Sequence, residues 1–165
     1  MMRLSWLISI GISLFGVMLI EHFFTMKLED EPTVNGNLGA VGLALVAPFI
    51  LLSIFITFRY FTTMSHQAID PLMRSIYIGF GIVFLLTVTY FAIDYKNMVY
   101  GELGGTTNEP SSIIYGYPLL NEYTNRVYIN FYSFTALHTL VAIIGAIYGI
   151  FRKAPQEQNE QSSGQ

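Results

Sequence analysis

Apolar residues along this chain fall into four long runs. Nearly all Lys, Arg, Asp and Glu residues lie between the runs, and the exception is Glu21, near the end of the first. A helix needs about 20 predominantly apolar residues to cross the hydrocarbon core of a bilayer. The pattern therefore predicts helices over about residues 4–25, 38–58, 75–93 and 127–151. The predicted fold class is an all-α integral membrane protein, a bundle of four transmembrane helices.

The fourth run, residues 127–151, carries no formal charge and has two different sides at 100° per residue. One side is small and polar, and the opposite side is bulky and apolar. In lipid, small residues let helix backbones approach closely, so the small side should face other helices and the bulky side should face lipid. The small side holds Asn130, Thr135, His138, Ala142, Gly145 and Gly149. The bulky side holds Leu140, Ile143, Ile144, Ile147, Ile150 and Phe151.

Two further helices carry packing signals. Ser9 and Ser13 lie on a narrow small stripe of the first helix, which suits close contact with a neighbour. Pro48 lies in the middle of the second helix, where its missing N–H predicts a kink. Such a proline is common in membrane helices, and we interpret it as a packing feature rather than a functional hinge.

The rest of the chain connects or follows these helices. We predict one membrane domain over residues 1–153, with a connecting loop over 94–126 and a disordered cytoplasmic tail over 154–165. Glycines and prolines in the loop argue against a long helix there. Its tyrosines are typical of a membrane interface. The first helix has no small-x-small cleavage site after its apolar run, so we expect it to remain uncleaved.

Positive charges predict the orientation. With the amino terminus in the cytoplasm, the inner segments hold Arg3, Arg59, Arg74, Arg152 and Lys153. The outer segments then hold Lys27, Lys96 and Arg126. The positive-inside rule therefore favours both termini inside, in the cell membrane of a bacterium. The chain has no Asn-x-Ser/Thr sequon, which fits a bacterial protein.

Composition excludes several classes of function. The chain has no cysteine, which rules out disulfides, thiolate metal sites and dithiol chemistry. A net charge of −3 without a basic patch argues against nucleic acid as a partner. No nucleophile elbow, phosphate loop or metalloprotease motif is present, and we predict no catalytic, cofactor-binding or metal-binding residue. The expected partners are the lipid bilayer and either another membrane protein or a second copy of the chain.

His138 is the first candidate functional residue, because it lies near the predicted bilayer midplane. Ionisable residues at that depth are functional candidates by default, here for haem ligation, proton transfer or quinone contact. The structural alternative, which we favour, is a neutral imidazole bonded to Ser, Thr or Tyr on a neighbouring helix. His22 is the only other histidine in a predicted helix, and it lies at a different level, which argues against bis-histidine haem.

Glu21, His22 and Asn130 are the other candidates. A carboxylate beside an imidazole can form a proton or metal site, but adjacent helical residues point about 100° apart. We therefore interpret Glu21 and His22 as the water-exposed end of the first helix. Asn130 is a polar residue on the small side of the fourth helix.

Three functions remain open from the sequence. The leading hypothesis is a non-enzymatic accessory or partner-binding membrane protein. The second is a transporter or channel component, for which Asn130, Thr135 and His138 are the clearest polar groups, with Ser9 and Ser13 as weaker ones. The third is a quinone-linked or redox membrane enzyme that uses His138.

Overall fold

The computed structural model describes residues 2–26, 37–68 and 70–151, and it confirms the predicted fold class. Every regular element in these ranges is an α-helix: α1 (Met2–Phe23), α2 (Leu38–Gln67), α3 (Pro71–Glu102), α4 (Asn125–Tyr128) and α5 (Phe131–Phe151). Four stretches are long and apolar enough to cross a membrane, namely α1, α2, α3 and the α4–α5 segment. The chain is therefore a multi-pass membrane protein.

Helices α2 and α3 extend well beyond their predicted ends. α2 continues past Phe58 to Gln67, and α3 begins at Pro71 and ends at Glu102 rather than covering only 75–93. The predicted boundaries were wrong because charged residues such as Arg59 and Asp94 mark where the apolar run ends. They do not end a helix, and residues 59–67 contain neither glycine nor proline. The predicted loop over 94–126 shrinks accordingly, to residues 103–124 between α3 and α4.

The predicted fourth helix is broken near its start. α4 is a single turn over Asn125–Tyr128, and α5 begins only at Phe131. Asn130 stands at the break, where its Oδ1 accepts a bond from the Ser133 N–H at 2.9 Å and the Ser133 hydroxyl accepts from the Asn130 N–H at 3.1 Å. This reciprocal pair satisfies two donors at the start of α5. A continuous helix over 127–151 is therefore corrected to two helices.

The long helices form an open arrangement in which α5 packs against both α2 and α3, and α1 packs mainly against α2 and also touches α4 and α5. Gly145 and Gly149 let α5 approach α2 closely. A Cβ at Gly145 would lie 2.7 Å from the Phe58 carbonyl oxygen, and one at Gly149 would collide with the Thr62 carbonyl oxygen. The two backbones are thus in direct contact, the kind of neighbour predicted for the small side of the fourth run.

One residue of the predicted lipid-facing side faces another helix instead. Ile143 is half-buried, and its Cγ1 would lie 3.1 Å from a Cβ at Gly81 of α3. The prediction was wrong for Ile143 because α5 has helices on two of its sides, so its apolar face divides between α3 and lipid. Ile144, Ile147 and Ile150 remain exposed.

The segment between α3 and α4 is folded rather than extended along the membrane. It forms a small core of buried residues with the end of α3, namely Val99, Tyr100, Leu103, Ile114, Tyr123 and Val127. Buried Asn121 accepts from the Tyr123 and Thr124 N–H groups at 3.0 and 3.1 Å. Tyr123 is therefore a core residue, whereas Tyr115 and Tyr117 are exposed, as expected at an interface.

Ser9 and Ser13 of α1 and Pro48 of α2 were predicted to be packing residues. The structure gives each of them different surroundings. Ser13 is fully buried, and its hydroxyl lies 2.8 Å from the Phe49 carbonyl of α2. The Ser9 hydroxyl instead donates to the Trp6 carbonyl within α1 at 2.9 Å. α2 runs through Pro48, which is exposed, and the kink there stays a prediction. The predicted tail over 154–165 lies outside the described residues, as do Lys27, Arg152 and Lys153.

Candidate functional site

A cleft of about 430 Å³ lies between α1 and α3, with α2 and α5 behind it. It exists because α1 packs mainly on α2 and α3 packs mainly on α5, which leaves space between α1 and α3. Its volume falls in the range of pockets that hold a drug-sized molecule. Apolar side chains form its two front walls: Trp6, Ile10, Leu14, Tyr77, Phe80 and Phe84.

The length of the cleft is close to the thickness of one leaflet of a bilayer. Along α5 it extends from Phe134 to Ala146, roughly 18 Å of helix, against a hydrocarbon core of about 30 Å in total. Aromatic side chains mark the end that lies nearest the α2–α3 connection. There the Trp6 ring stacks on Tyr60 at 4.7 Å, and Tyr77 lies on the facing wall. Trp and Tyr are enriched at membrane interfaces, so we expect this end of the cleft to lie near the headgroups.

His138 forms part of the wall at the deeper end of the cleft. Its Nδ1 lies 2.9 Å from the Phe134 carbonyl oxygen on its own helix, and its Nε2 lies 2.8 Å from the Ser53 hydroxyl on α2. A carbonyl oxygen only accepts, so Nδ1 carries a proton and donates it. In the neutral ring Nε2 then accepts from Ser53. Both nitrogens thus have a hydrogen-bonding group of the protein within reach.

Two polar residues beside the α2–α3 connection each have a buried atom without a hydrogen-bond partner among the described residues. Arg74, in the first turn of α3, donates from Nη2 to the Ala68 carbonyl, but its buried Nε has no partner among the described residues. Ser65 on α2 is 5% exposed, and its hydroxyl likewise has no partner in the described part of the chain. Both residues line the cleft. Their unpartnered atoms are covered by surrounding protein atoms, so the surface of the cleft is almost entirely apolar.

A hydrogen bond joins α1 and α3 at the opposite end of the protein. The Tyr95 hydroxyl of α3 donates to Oε1 of Glu21 on α1 at 3.0 Å. Glu21 thus contacts a neighbouring helix, which the expectation of a water-exposed helix end did not include. α1 and α3 are linked at this end and face each other across the cleft at the other.

The remaining sequence candidates lie outside the cleft. His22 is exposed, with Nδ1 3.1 Å from the Met18 carbonyl, and Asn130 is fully buried at the start of α5. The Nδ2 of Asn130 donates to the carbonyls of Arg126 and Val127 at 2.8 and 2.9 Å. Across the ranges 2–26, 37–68 and 70–151, no group of three or more His, Asp or Glu residues is placed to hold a metal ion. His138 and Ala142 line the cleft, and Glu21, His22 and Asn130 do not.

Sequence reasoning did not select Ser53, Ser65, Trp6 or Arg74 as site residues. A partial signal existed: Trp6 is the single tryptophan, and Arg74 directly precedes an apolar run. The missing information was which helices are neighbours, because a cleft depends on packing between distant segments. Comparison with family models, curated proteins and solved structures finds no match for this chain.

Proposed function

We propose that this chain is a non-enzymatic accessory protein of the membrane that holds a chain-bearing amphipathic molecule of the bilayer in the cleft between α1 and α3. The observation that supports this most is the cleft itself, which is apolar, about 430 Å³ in volume and partly open to the outside of the helix bundle. Its length corresponds to one leaflet, so an acyl or isoprenoid chain entering from that leaflet matches it without crossing the midplane.

The hydrogen bonds of His138 favour binding over catalysis. A catalytic or quinone-binding imidazole needs a nitrogen that can reach the substrate. Here Nδ1 is bonded to Phe134 and Nε2 to Ser53, so the ring links α5 to α2 instead. The same bonds occupy the positions that an iron or other metal ion would need. His138 accordingly acts in the proposed function as a support of the deeper wall.

We also propose that the protein lies in the cytoplasmic membrane of a bacterium with both termini inside. The support is the excess of Lys and Arg on that side of the predicted topology. Reporter fusions after Arg74 and after Arg152 should report the cytoplasm, and a fusion at Gly104 should report the outside. A cytoplasmic signal at Gly104 would reverse this orientation.

Trp6 provides a direct test of lipid in the cleft. It is the single tryptophan of the chain and forms part of the cleft wall, so its fluorescence reports on that wall. The protein is reconstituted in vesicles in which a small fraction of the phospholipid carries brominated acyl chains, which quench tryptophan on contact. We expect quenching above that given by the bulk fraction of brominated lipid, because the cleft retains a chain beside the indole.

A matched pair of variants separates the cleft from bulk lipid. Ala142→Phe puts a ring into the cleft and should reduce quenching to the bulk value, whereas Leu140→Phe adds a ring on the exposed side of α5 and should not. Equal quenching in the wild type and Ala142→Phe would contradict the proposal. A helix of another protein cross-linked to the cleft wall in native membranes would contradict it too, and would indicate a partner-binding groove.

A further inference from the structure

We infer that the cleft selects its ligand by the length of one hydrocarbon chain, and that this chain is an acyl chain of a membrane phospholipid rather than a long isoprenoid chain. This inference rests on the proposed function and names the chemical class of its ligand. The decisive juxtaposition is an apolar cleft that ends at Leu14 of α1 and Phe134 of α5, while α1 and α3 continue well past that point.

The surface of the cleft offers a ligand almost no polar atom. Trp6 Nε1 donates to the Thr57 hydroxyl at 3.1 Å, and the Thr139 hydroxyl donates to the Thr135 carbonyl at 2.8 Å. Both ring nitrogens of His138 also have protein groups within reach. A polar group of a ligand would lose its hydrogen bonds to water in such a cleft, whereas a hydrocarbon chain has none to lose. The cleft therefore recognises a chain by its shape and length.

The deeper end of the cleft is closed by a packed core between α1 and α5. Leu14 and Phe134 line the cleft and also pack in a cluster with Val17, Ile20 and Ile129. Val17 and Ile20 are 2% and 0% exposed, and interiors packed in this way have few voids larger than a water molecule. A chain that enters from the opposite end therefore stops at Leu14 and Phe134.

Helix α3 also packs against its neighbours beyond this level. Phe84 is its last residue on the cleft wall, and Val88, about one turn further on, is buried. The Phe91 ring then stacks on Tyr132 of α5 at 6.3 Å, and the Tyr95 hydroxyl bonds to α1. The space between α1 and α3 thus closes toward the end at which the two helices are hydrogen-bonded.

The closed end sets a length limit of about one leaflet. From Ala146 to Phe134 the cleft follows α5 for roughly 18 Å, and one leaflet of a hydrocarbon core of about 30 Å is roughly 15 Å thick. An acyl chain of a phospholipid has this length, because two such chains placed end to end make up the core. A long isoprenoid chain, such as that of a polyprenol, exceeds it and would have to leave the cleft.

Trp6 fluorescence measures the preference for chain length, because Trp6 lies on the cleft wall. Phosphatidylcholines with chains of roughly 14 to 24 carbons bracket one leaflet. Each is brominated at the same position near its ester group and mixed at one small fraction into vesicles of a single host phosphatidylcholine. We expect quenching above the bulk value up to the matching length. The longest chains should bind about fivefold more weakly, since extra methylenes overpack the closed end. Unbrominated undecaprenol should leave the quenching unchanged.

Leu14 is the residue whose size sets the limit. Leu14→Ala shortens the side chain at the closed end and should raise the binding of the longest chains toward that of the matching chains. Leu14→Phe enlarges the side chain and should shift the limit to shorter chains. Ile12→Ala is the matched control, because Ile12 is 51% exposed on α1 and does not line the cleft.

The wild-type series tests the length limit even if a variant does not fold. Quenching above the bulk value that is equal for all chain lengths would overturn the limit but leave the proposed function intact. Quenching at the bulk value for every chain length would overturn both. Displacement of the brominated lipids by undecaprenol would overturn an acyl chain as the ligand. A folded Leu14→Ala protein with the wild-type preference would overturn Leu14 as the residue that sets the limit.

Discussion

The Ser53 hydroxyl of α2 lies 2.8 Å from Nε2 of His138 on α5, and both side chains are buried. The same hydroxyl lies 2.8 Å from the Ile50 carbonyl, so it has two acceptors within reach. When Ser53 donates to Nε2, the imidazole is bonded at both ends and α2 is tied to α5. This pair is the polar contact between the two helices at the deeper end of the cleft.

A double-mutant cycle tests this link. Ser53→Ala leaves Nε2 without its partner and should lower the free energy of unfolding by about 1 kcal/mol. His138→Leu should lower it further than His138→Gln, because glutamine keeps one of the two hydrogen bonds. Unfolding in mixed micelles gives these values, and the coupling between Ser53→Ala and His138→Leu should be about 0.5–1.5 kcal/mol.

Additive effects in that cycle would show that the two side chains do not interact. A second outcome bears on function directly. If His138→Gln folds with wild-type stability but loses the excess quenching of Trp6, then His138 contacts the ligand and is more than a support of the wall.

The α2–α5 contact should be sensitive to side-chain size. Gly145→Leu and Gly149→Leu would press a side chain into the carbonyls of Phe58 and Thr62, so we expect each to lower stability by about 1–3 kcal/mol or to separate the helices. Thermal unfolding in detergent measures the effect. Ile147→Leu is the control, since Ile147 is 40% exposed on the opposite side of α5.

Equal tolerance of the glycine and isoleucine changes would contradict the close packing of α5 on α2. Ile143 is unsuitable as a control because it packs near Gly81 of α3. Ile143→Leu should therefore have a measurable effect, and Ile147→Leu should have almost none.

Hydropathy predicted the four spans because the bilayer itself requires long apolar helices with every backbone group bonded. It did not predict how far α2 and α3 continue beyond their apolar runs, since residues 59–67 have no helix breaker and hydropathy reports only the apolar part. The cleft could not be predicted either, because its walls come from α1 and α3. Nothing in the sequence of either helix indicates that the two helices face each other. Asn130 was selected as a candidate for its polarity. The sequence did not indicate that it forms local hydrogen bonds at the start of α5.

Those bonds give Asn130 a testable role in starting α5. Asn130→Ala removes the acceptor for the Ser133 N–H and the donors to Arg126 and Val127, and it should cost about 1–2 kcal/mol of stability. Asn130→Ser keeps a capping oxygen but loses the amide donors, so its cost should be intermediate. Chemical unfolding measures the order of the variants. Equal stability of Asn130→Ala and the wild type would exclude a capping role.

The last prediction concerns the bond from the Tyr95 hydroxyl to Glu21, which joins α3 to α1 across the end of the protein farthest from Arg74. Tyr95→Phe removes the donor and should let the two helix ends move apart. Glu21→Gln keeps an oxygen acceptor at Oε1 and should preserve the link, whereas Glu21→Ala should behave like Tyr95→Phe.

Spin labels can measure this separation cleanly because the chain has no cysteine of its own. Phe23 on α1 and Met98 on α3 are exposed and suit replacement by labelled cysteines. We expect a longer and broader distance distribution in Tyr95→Phe and Glu21→Ala than in Glu21→Gln. The double variant Tyr95→Phe with Glu21→Ala should give the same distance distribution as either single variant, since both changes break the same hydrogen bond. An unchanged distribution in Tyr95→Phe would mean that packing on α2 and α5, rather than this hydrogen bond, sets the spacing of α1 and α3.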